Sequence, residues 1–344
     1  MELPDFVRLL KSQNPDSEVW WDASPTTYAA FRELVLRRYP QLTSHIEQLL
    51  SAFWLDTKSG ISGATTNPRL VAQALLEDAD ITHDWIEALT PDSSTANRAR
   101  QVYDRLIVEG AHLLRPLWAL SGGRLGWLSA QVDTTQLHSA ELLVARGLEL
   151  ARLSPNVMIK VPGSLNGYNA IEQLVAKGCS INNTLCFTAS QLSAGLAAIH
   201  RGRLLARQNQ VDVSSAQYVI TFMIGRFGDE PQFEQQARQC GITLTQTDKR
   251  WAELAIYQAL QVVLQHWQTP ARLLLCSLRV DTNEYGEAFA WHLERTGADT
   301  TVYTLTPAII DFLLHRQASG KPVLPASRRW SIPDEVMNKL LRIP

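Results

Sequence analysis

Several features are scarce or missing in this 344-residue chain. No apolar run approaches the roughly 20 residues of a membrane-spanning helix. The opening stretch, MELPDFVRLLKSQNPDSE, lacks the basic start and sustained apolar segment of a secretory leader. A cytoplasmic protein with no membrane partner is the expectation. Positive charge is not in surplus: the formal net charge is −2, so nothing marks a nucleic-acid binder. The four cysteines, Cys179, Cys186, Cys240 and Cys276, are irregularly spaced and form no C-x-x-C pair. Reduced, packed thiols follow from that. The HExxH, P-loop and GxGxxG signatures are missing, and the eight histidines are scattered. Neither a metal site nor a cofactor is expected. Charged residues make up only 19%, too few for long disordered tails.

Apolar residues are plentiful instead, at 45%, enough for a large core. The length suits a single (β/α)8 barrel with additions. Residues 1–50 read as a helical N-terminal extension packed on the main body: Phe31, Leu34 and Val35 share one helical face, and so do Ile46, Leu49, Leu50 and Phe53. The Trp20-Trp21 pair reads as core rather than subunit contact, and a homodimer stays open. From residue 53 onward short apolar runs alternate with amphipathic helices. FWLDT (53–57), GATTN (63–67), WLSAQVD (127–133), NVMIKVP (156–162), SINNTLCF (180–187), QYVITFM (217–223), RLLLCSLR (272–279) and TTVYTL (300–305) read as strands. Between the third and fourth, Ala140, Leu143, Val144, Gly147, Leu148 and Ala151 form a helical stripe. Gly178 reads as the residue closing the helix after Lys160, and Pro307 as the opening of the last barrel helix. Eight strands separated by helices imply parallel pairing, and eight strands close a barrel. The expected fold is therefore α/β: a TIM barrel over 51–344 that ends in a loop and the helix DEVMNKLLR. An open doubly wound sheet is the alternative, and the missing dinucleotide fingerprint argues against it.

Barrel active sites gather at the carboxyl ends of the strands. The polar residues closing the apolar runs are Asp56; Thr65, Thr66 and Asn67; Gln131 and Asp133; Lys160; Asn182 and Thr184; Thr221 and Arg226; and Ser277 and Arg279. Lys160 stands out. It follows Val157-Met158-Ile159 and precedes Val161-Pro162, so its amine either reaches water or is desolvated. A desolvated lysine is neutral at lower pH and can attack a ketone to form an imine. Asp56 caps the turn KSGISG on the plainer reading, or serves as a base beside the amine. Arg226 and Arg279, with the Ser277 hydroxyl, read either as ordinary surface groups or as a phosphate cradle. Asn67 and Asn182 suit hydroxyl-rich ligands, although Asn67 before Pro68 also fits turn chemistry. Asp133 reads as a helix cap.

These residues together resemble the transaldolase family. LDTKSGISGATTNPRLV is similar to its first two strands, VMIKVPGSLNGYNAIEQL to its Schiff-base lysine strand, and INNTLCFTASQ to its fifth strand. The spacing from Ile220 through Gly225-Arg226, and Ser277 with Arg279, match as well; the resemblance covers residues 53–316. It implies that Lys160 forms an imine with the ketose C2 and that Asp56 takes the hydroxyl proton as C3–C4 breaks. It implies further that Thr184 holds a catalytic water, that Asn67, Asn182 and Thr221 bind hydroxyls, and that Arg226, Ser277 and Arg279 hold the distal phosphate. The implied reaction moves a dihydroxyacetone unit between sugar phosphates in carbohydrate metabolism, with the protonated imine as electron sink and no metal.

Two positions depart from the family pattern. Gln131 stands where transaldolases carry a glutamate that works through water, and Met223 where they usually carry phenylalanine. Related fructose-6-phosphate aldolases pair a glutamine with a tyrosine; neither Gln131 nor Met223 can transfer a proton. With no proton donor near the enamine carbon, transfer to an aldehyde is expected to win over release of dihydroxyacetone. The competing readings are aldolase-like cleavage, a diverged biosynthetic enzyme for an unusual sugar phosphate, and a barrel that binds sugar phosphate without turning it over.

Overall fold

The computed structural model describes residues 5–55, 60–77, 94–267, 269–282, 286–328 and 331–344. Its centre is a closed barrel of parallel strands. The barrel strands are β1 (Glu18–Asp22), β2 (Gly63–Thr65), β3 (Trp127–Gln131), β4 (Val157–Pro162), β5 (Ile181–Cys186), β6 (Tyr218–Phe222), β7 (Ala271–Leu275) and β10 (Val302–Leu305). A small antiparallel ribbon, β8 (Asp281–Thr282) with β9 (Ala288–Phe289), lies between the last two. Around the barrel the order is β1-β10-β7-β6-β5-β4-β3-β2, so each strand lies beside its predecessor in the barrel and β1 closes on β10. This is the (β/α)8 architecture.

The helical stripes fold as their spacing predicts. Ala140–Leu153 buries Ala140, Leu143, Val144 and Gly147, and the Ser139 hydroxyl accepts from Leu142 N–H at its start. Gly147 lets the chain approach closely, since a Cβ there would lie 2.9 Å from Leu174. Gly178 takes φ +87° just past Leu165–Ala176, a left-handed helix end. Pro307 opens Pro307–Ala318, whose Thr306 caps Ile309 N–H, and Asp334–Leu340 forms the terminal helix. Asp133 caps a short turn, accepting from Thr135 N–H at 2.9 Å.

The first strand lies elsewhere than expected. Phe53 and Leu55 are exposed in a turn, and Trp54 has φ +52°, a left-handed conformation that no strand continues through. β1 is EVWWD, inside the stretch read as a helical extension, so residues 1–50 supply part of the barrel wall. The reason is burial on both faces: Glu18, Trp20 and Asp22 project inward, while Val19 and Trp21 pack outward under helices, so no polar–apolar alternation announces the strand. Both tryptophans are fully buried, as core.

Trp20 fills the barrel interior with Trp127, Met158, Val219, Leu274 and Val302. Gly63 makes room for it, because a Cβ there would meet the indole at 2.7 Å. Below, the buried Glu18 pairs with Arg272 and accepts from Trp20 Nε1 (2.7 Å) and Ser62 Oγ (3.0 Å). This packed apolar layer separates the Glu18–Arg272 pair below from the polar side chains at the carboxyl ends of the strands. Among the described residues no helix is long and apolar enough to cross a membrane.

Candidate active site

Inward-facing positions at the carboxyl ends of the strands bring most of the sequence candidates together. Gln131, Lys160 and Asn182 lie side by side on β3, β4 and β5, and paired residues of parallel strands share a face. Thr184 follows two positions on, on the same face and buried. Asn182 Nδ2 donates to Ser129 Oγ on β3 at 2.9 Å, and Thr221 Oγ1 on β6 donates to Asn182 Oδ1 at 2.6 Å. This chain across three strands fixes the amide's orientation. The Gln131 backbone is held by Tyr103, whose hydroxyl accepts from Gln131 N–H (2.8 Å) and donates to its carbonyl (3.1 Å).

Lys160 is 8% exposed. Its Nζ lies 3.4 Å from the Thr66 carbonyl, a long contact. Burial lowers its pKa, because the charged amine loses water; the charge of Asp22 and the Cys276 thiol oppose this, and Arg226 adds to it. Asp22 ends β1 and accepts from Thr65 Oγ1 at 2.6 Å. Among the described residues, it is the carboxylate whose charge acts on the amine. Asp56 lies outside the described residues, and the segment leading to it is not a barrel strand. Asp22 escaped the sequence reading because its strand did, although EVWWD has the same form as the other runs: apolar residues closed by a polar one.

Cys276 also faces the amine; burial pushes its thiol up to about 11, so it is neutral at physiological pH. Met223 packs beside it, with Sδ 3.0 Å from Cys276 Sγ. All four cysteines are free. Asn67 behaves as turn chemistry predicts: its Oδ1 accepts from Leu70 N–H at 3.0 Å at the start of Pro68–Glu77.

Arg226 follows β6 in the short helix Ile224–Phe227; its side chain is exposed and makes no ion pair among the described residues. Arg279 follows β7, donating from Nε to the Gly225 carbonyl (2.8 Å) and from Nη2 to Asp229 (2.9 Å). The two loops meet tightly. Ser277 has φ +58°, and a Cβ at Gly225 would fall 1.8 Å from its carbonyl oxygen, so only glycine fits.

The barrel thus sets an amine on β4 among amides and hydroxyls, with arginines following β6 and β7. The family profile described as Transaldolase/Fructose-6-phosphate aldolase matches residues 45–342. The chain belongs to this family. The match begins after β1, so the assignment of Asp22 rests on the barrel geometry. Transaldolases from Saccharopolyspora erythraea and Mycobacterium ulcerans are each 30% identical to it, over 49% of this chain and 46% of the first, and 51% of this chain and 48% of the second. A transaldolase from Mycobacterium bovis is 28% identical over 65% of this chain and 56% of its own. The chain spans about half the length of the curated relatives it matches.

Proposed function

We propose that the chain is a transaldolase-type enzyme that moves a dihydroxyacetone unit between sugar phosphates through an imine on Lys160. The observation that carries this is the burial of the Lys160 amine beside Asp22 and the Ser129–Asn182–Thr221 chain. Burial favours the neutral amine, which is the nucleophile. The amine attacks the ketose C2, the carbonyl oxygen leaves as water, and a protonated imine forms. Asp22 then takes the C4 hydroxyl proton while the C3–C4 electron pair moves into the iminium, releasing an aldehyde and leaving an enamine. Reaction of the enamine with a second aldehyde, followed by hydrolysis, completes the transfer. Asn182 and Thr221 orient hydroxyls of the three-carbon unit, Thr184 and Gln131 hold the water, and Asn67 binds a further hydroxyl. Arg226, Ser277 and Arg279 hold the distal phosphate.

Borohydride reduction in the presence of fructose 6-phosphate tests the reading. A covalent mass increase is expected at Lys160 and is expected to vanish in Lys160→Met. Binding of the sugar phosphate without trapping would instead support a non-catalytic barrel. Gln131 and Met223 favour transfer over cleavage, because neither delivers a proton to the enamine carbon. Loss of fructose 6-phosphate should therefore be faster with erythrose 4-phosphate than without it. Faster loss without the acceptor would make the enzyme an aldolase.

A further inference from the structure

Behind the two arginine loops lies a buried charge cluster that the reaction above does not use. Glu253 and Arg250, on the helix Gln246–Trp267, and His292, on Trp291–Arg295, are 0%, 3% and 0% exposed. Asp281, at the start of β8, completes the group. Burying charged groups is costly unless they are paired and their geometry is needed.

The hydrogen bonds run to the two loops. Glu253 Oε1 accepts from Gly228 N–H at 2.9 Å, two residues beyond Arg226. Its Oε2 lies 2.8 Å from His292 Nε2, and Arg279 N–H donates to His292 Nδ1 at 3.4 Å. With Nδ1 accepting, the ring proton sits on Nε2 and is donated to Glu253. Arg250 donates from Nη1 to both Glu253 oxygens at 2.9 Å. Its Nε and Nη2 reach Asp281, two residues beyond Arg279, at 2.8 and 3.1 Å. A Cβ at Gly228 would lie 2.9 Å from Glu253 Oε1, so the loop backbone is pressed onto the carboxylate.

We infer that Glu253 is a positioning residue that sets the spacing of Arg226 and Arg279 by tying both loops to one buried carboxylate. This rests on the phosphate role proposed for those arginines. Separation of two guanidinium groups decides whether one phosphate can be held by both.

The test measures inorganic phosphate affinity, by thermal shift, and steady-state kinetics with fructose 6-phosphate. In Glu253→Ala both loops lose their anchor. Phosphate affinity is expected to fall and KM for fructose 6-phosphate to rise by about 10- to 100-fold, the cost typical of groups that orient metal ligands, which act by the same kind of positioning. The rate of borohydride trapping by unphosphorylated dihydroxyacetone should be unchanged. Glu253→Gln keeps an oxygen for Gly228 N–H and is expected to restore most of the affinity, and it serves if the alanine variant fails to fold. Arg226→Ala and Arg279→Ala separate the two claims. If these lose phosphate and the Glu253 variants do not, Glu253 has no positioning role. If neither arginine variant loses phosphate, the phosphate assignment itself is wrong. An equal loss of trapping by dihydroxyacetone in the Glu253 variants would show a general structural role and overturn the inference.

Discussion

Replacing Asp22 by asparagine should separate imine formation from carbon–carbon cleavage. The amide keeps an oxygen for Thr65 Oγ1, now 2.6 Å from Asp22, so the local geometry has a substitute partner. It cannot take a proton. General-base catalysis contributes about 10²- to 10⁴-fold, which corresponds to about 3–5 kcal/mol of barrier. The transfer rate should drop by that factor. The Asp22 charge also raises the Lys160 pKa against the larger effect of burial. Removing it makes the amine neutral at lower pH, so trapping by borohydride should persist and its acidic limb should move down in pH. With the base at Asp22, Asp56→Asn should leave the transfer rate largely unchanged. The assay pairs a coupled measurement of aldose phosphate release with mass spectrometry of the reduced adduct. Near-normal transfer in Asp22→Asn, or a large loss in Asp56→Asn, would refute the assignment of the base to the end of β1.

Three further outcomes are expected. Lys160→Met should be more stable than the natural chain near neutral pH, by about 1.4 kcal/mol for each unit by which burial depresses the lysine pKa. The sign follows from proton uptake: the unfolded lysine binds a proton up to about pH 10.4, whereas the native one releases it earlier. Stability of the natural chain therefore rises with pH across that window, and denaturant titrations at several pH values should show the gap closing toward pH 10. Gly225→Ala should raise KM for fructose 6-phosphate at least about tenfold, because a misplacement of about 1 Å is costly in a positioned site; an unchanged KM would mean the β6 and β7 loops are not a rigid pair. Gln131→Glu should raise turnover by restoring a group that exchanges protons with water, and an unchanged or lower rate would place the water elsewhere.

What could be read from the sequence alone was whatever local spacing encodes. Seven of the eight barrel strands are short apolar runs at the expected positions, and the helices between them carry visible stripes and caps, such as Ser139 and Gly178. Lys160 was conspicuous because a cation inside Val157–Val161 has few innocent explanations. Tertiary structure alone chose between EVWWD and FWLDT as first strand. Both are five-residue runs closed by or near an aspartate, and pairing with β10 and β2, across nearly the whole chain, decides which one closes the barrel. The same holds for Ser129, Cys276 and the Glu253 cluster. Their partners lie tens to more than a hundred residues away in sequence, and no local periodicity records which buried polar groups will meet once the barrel closes.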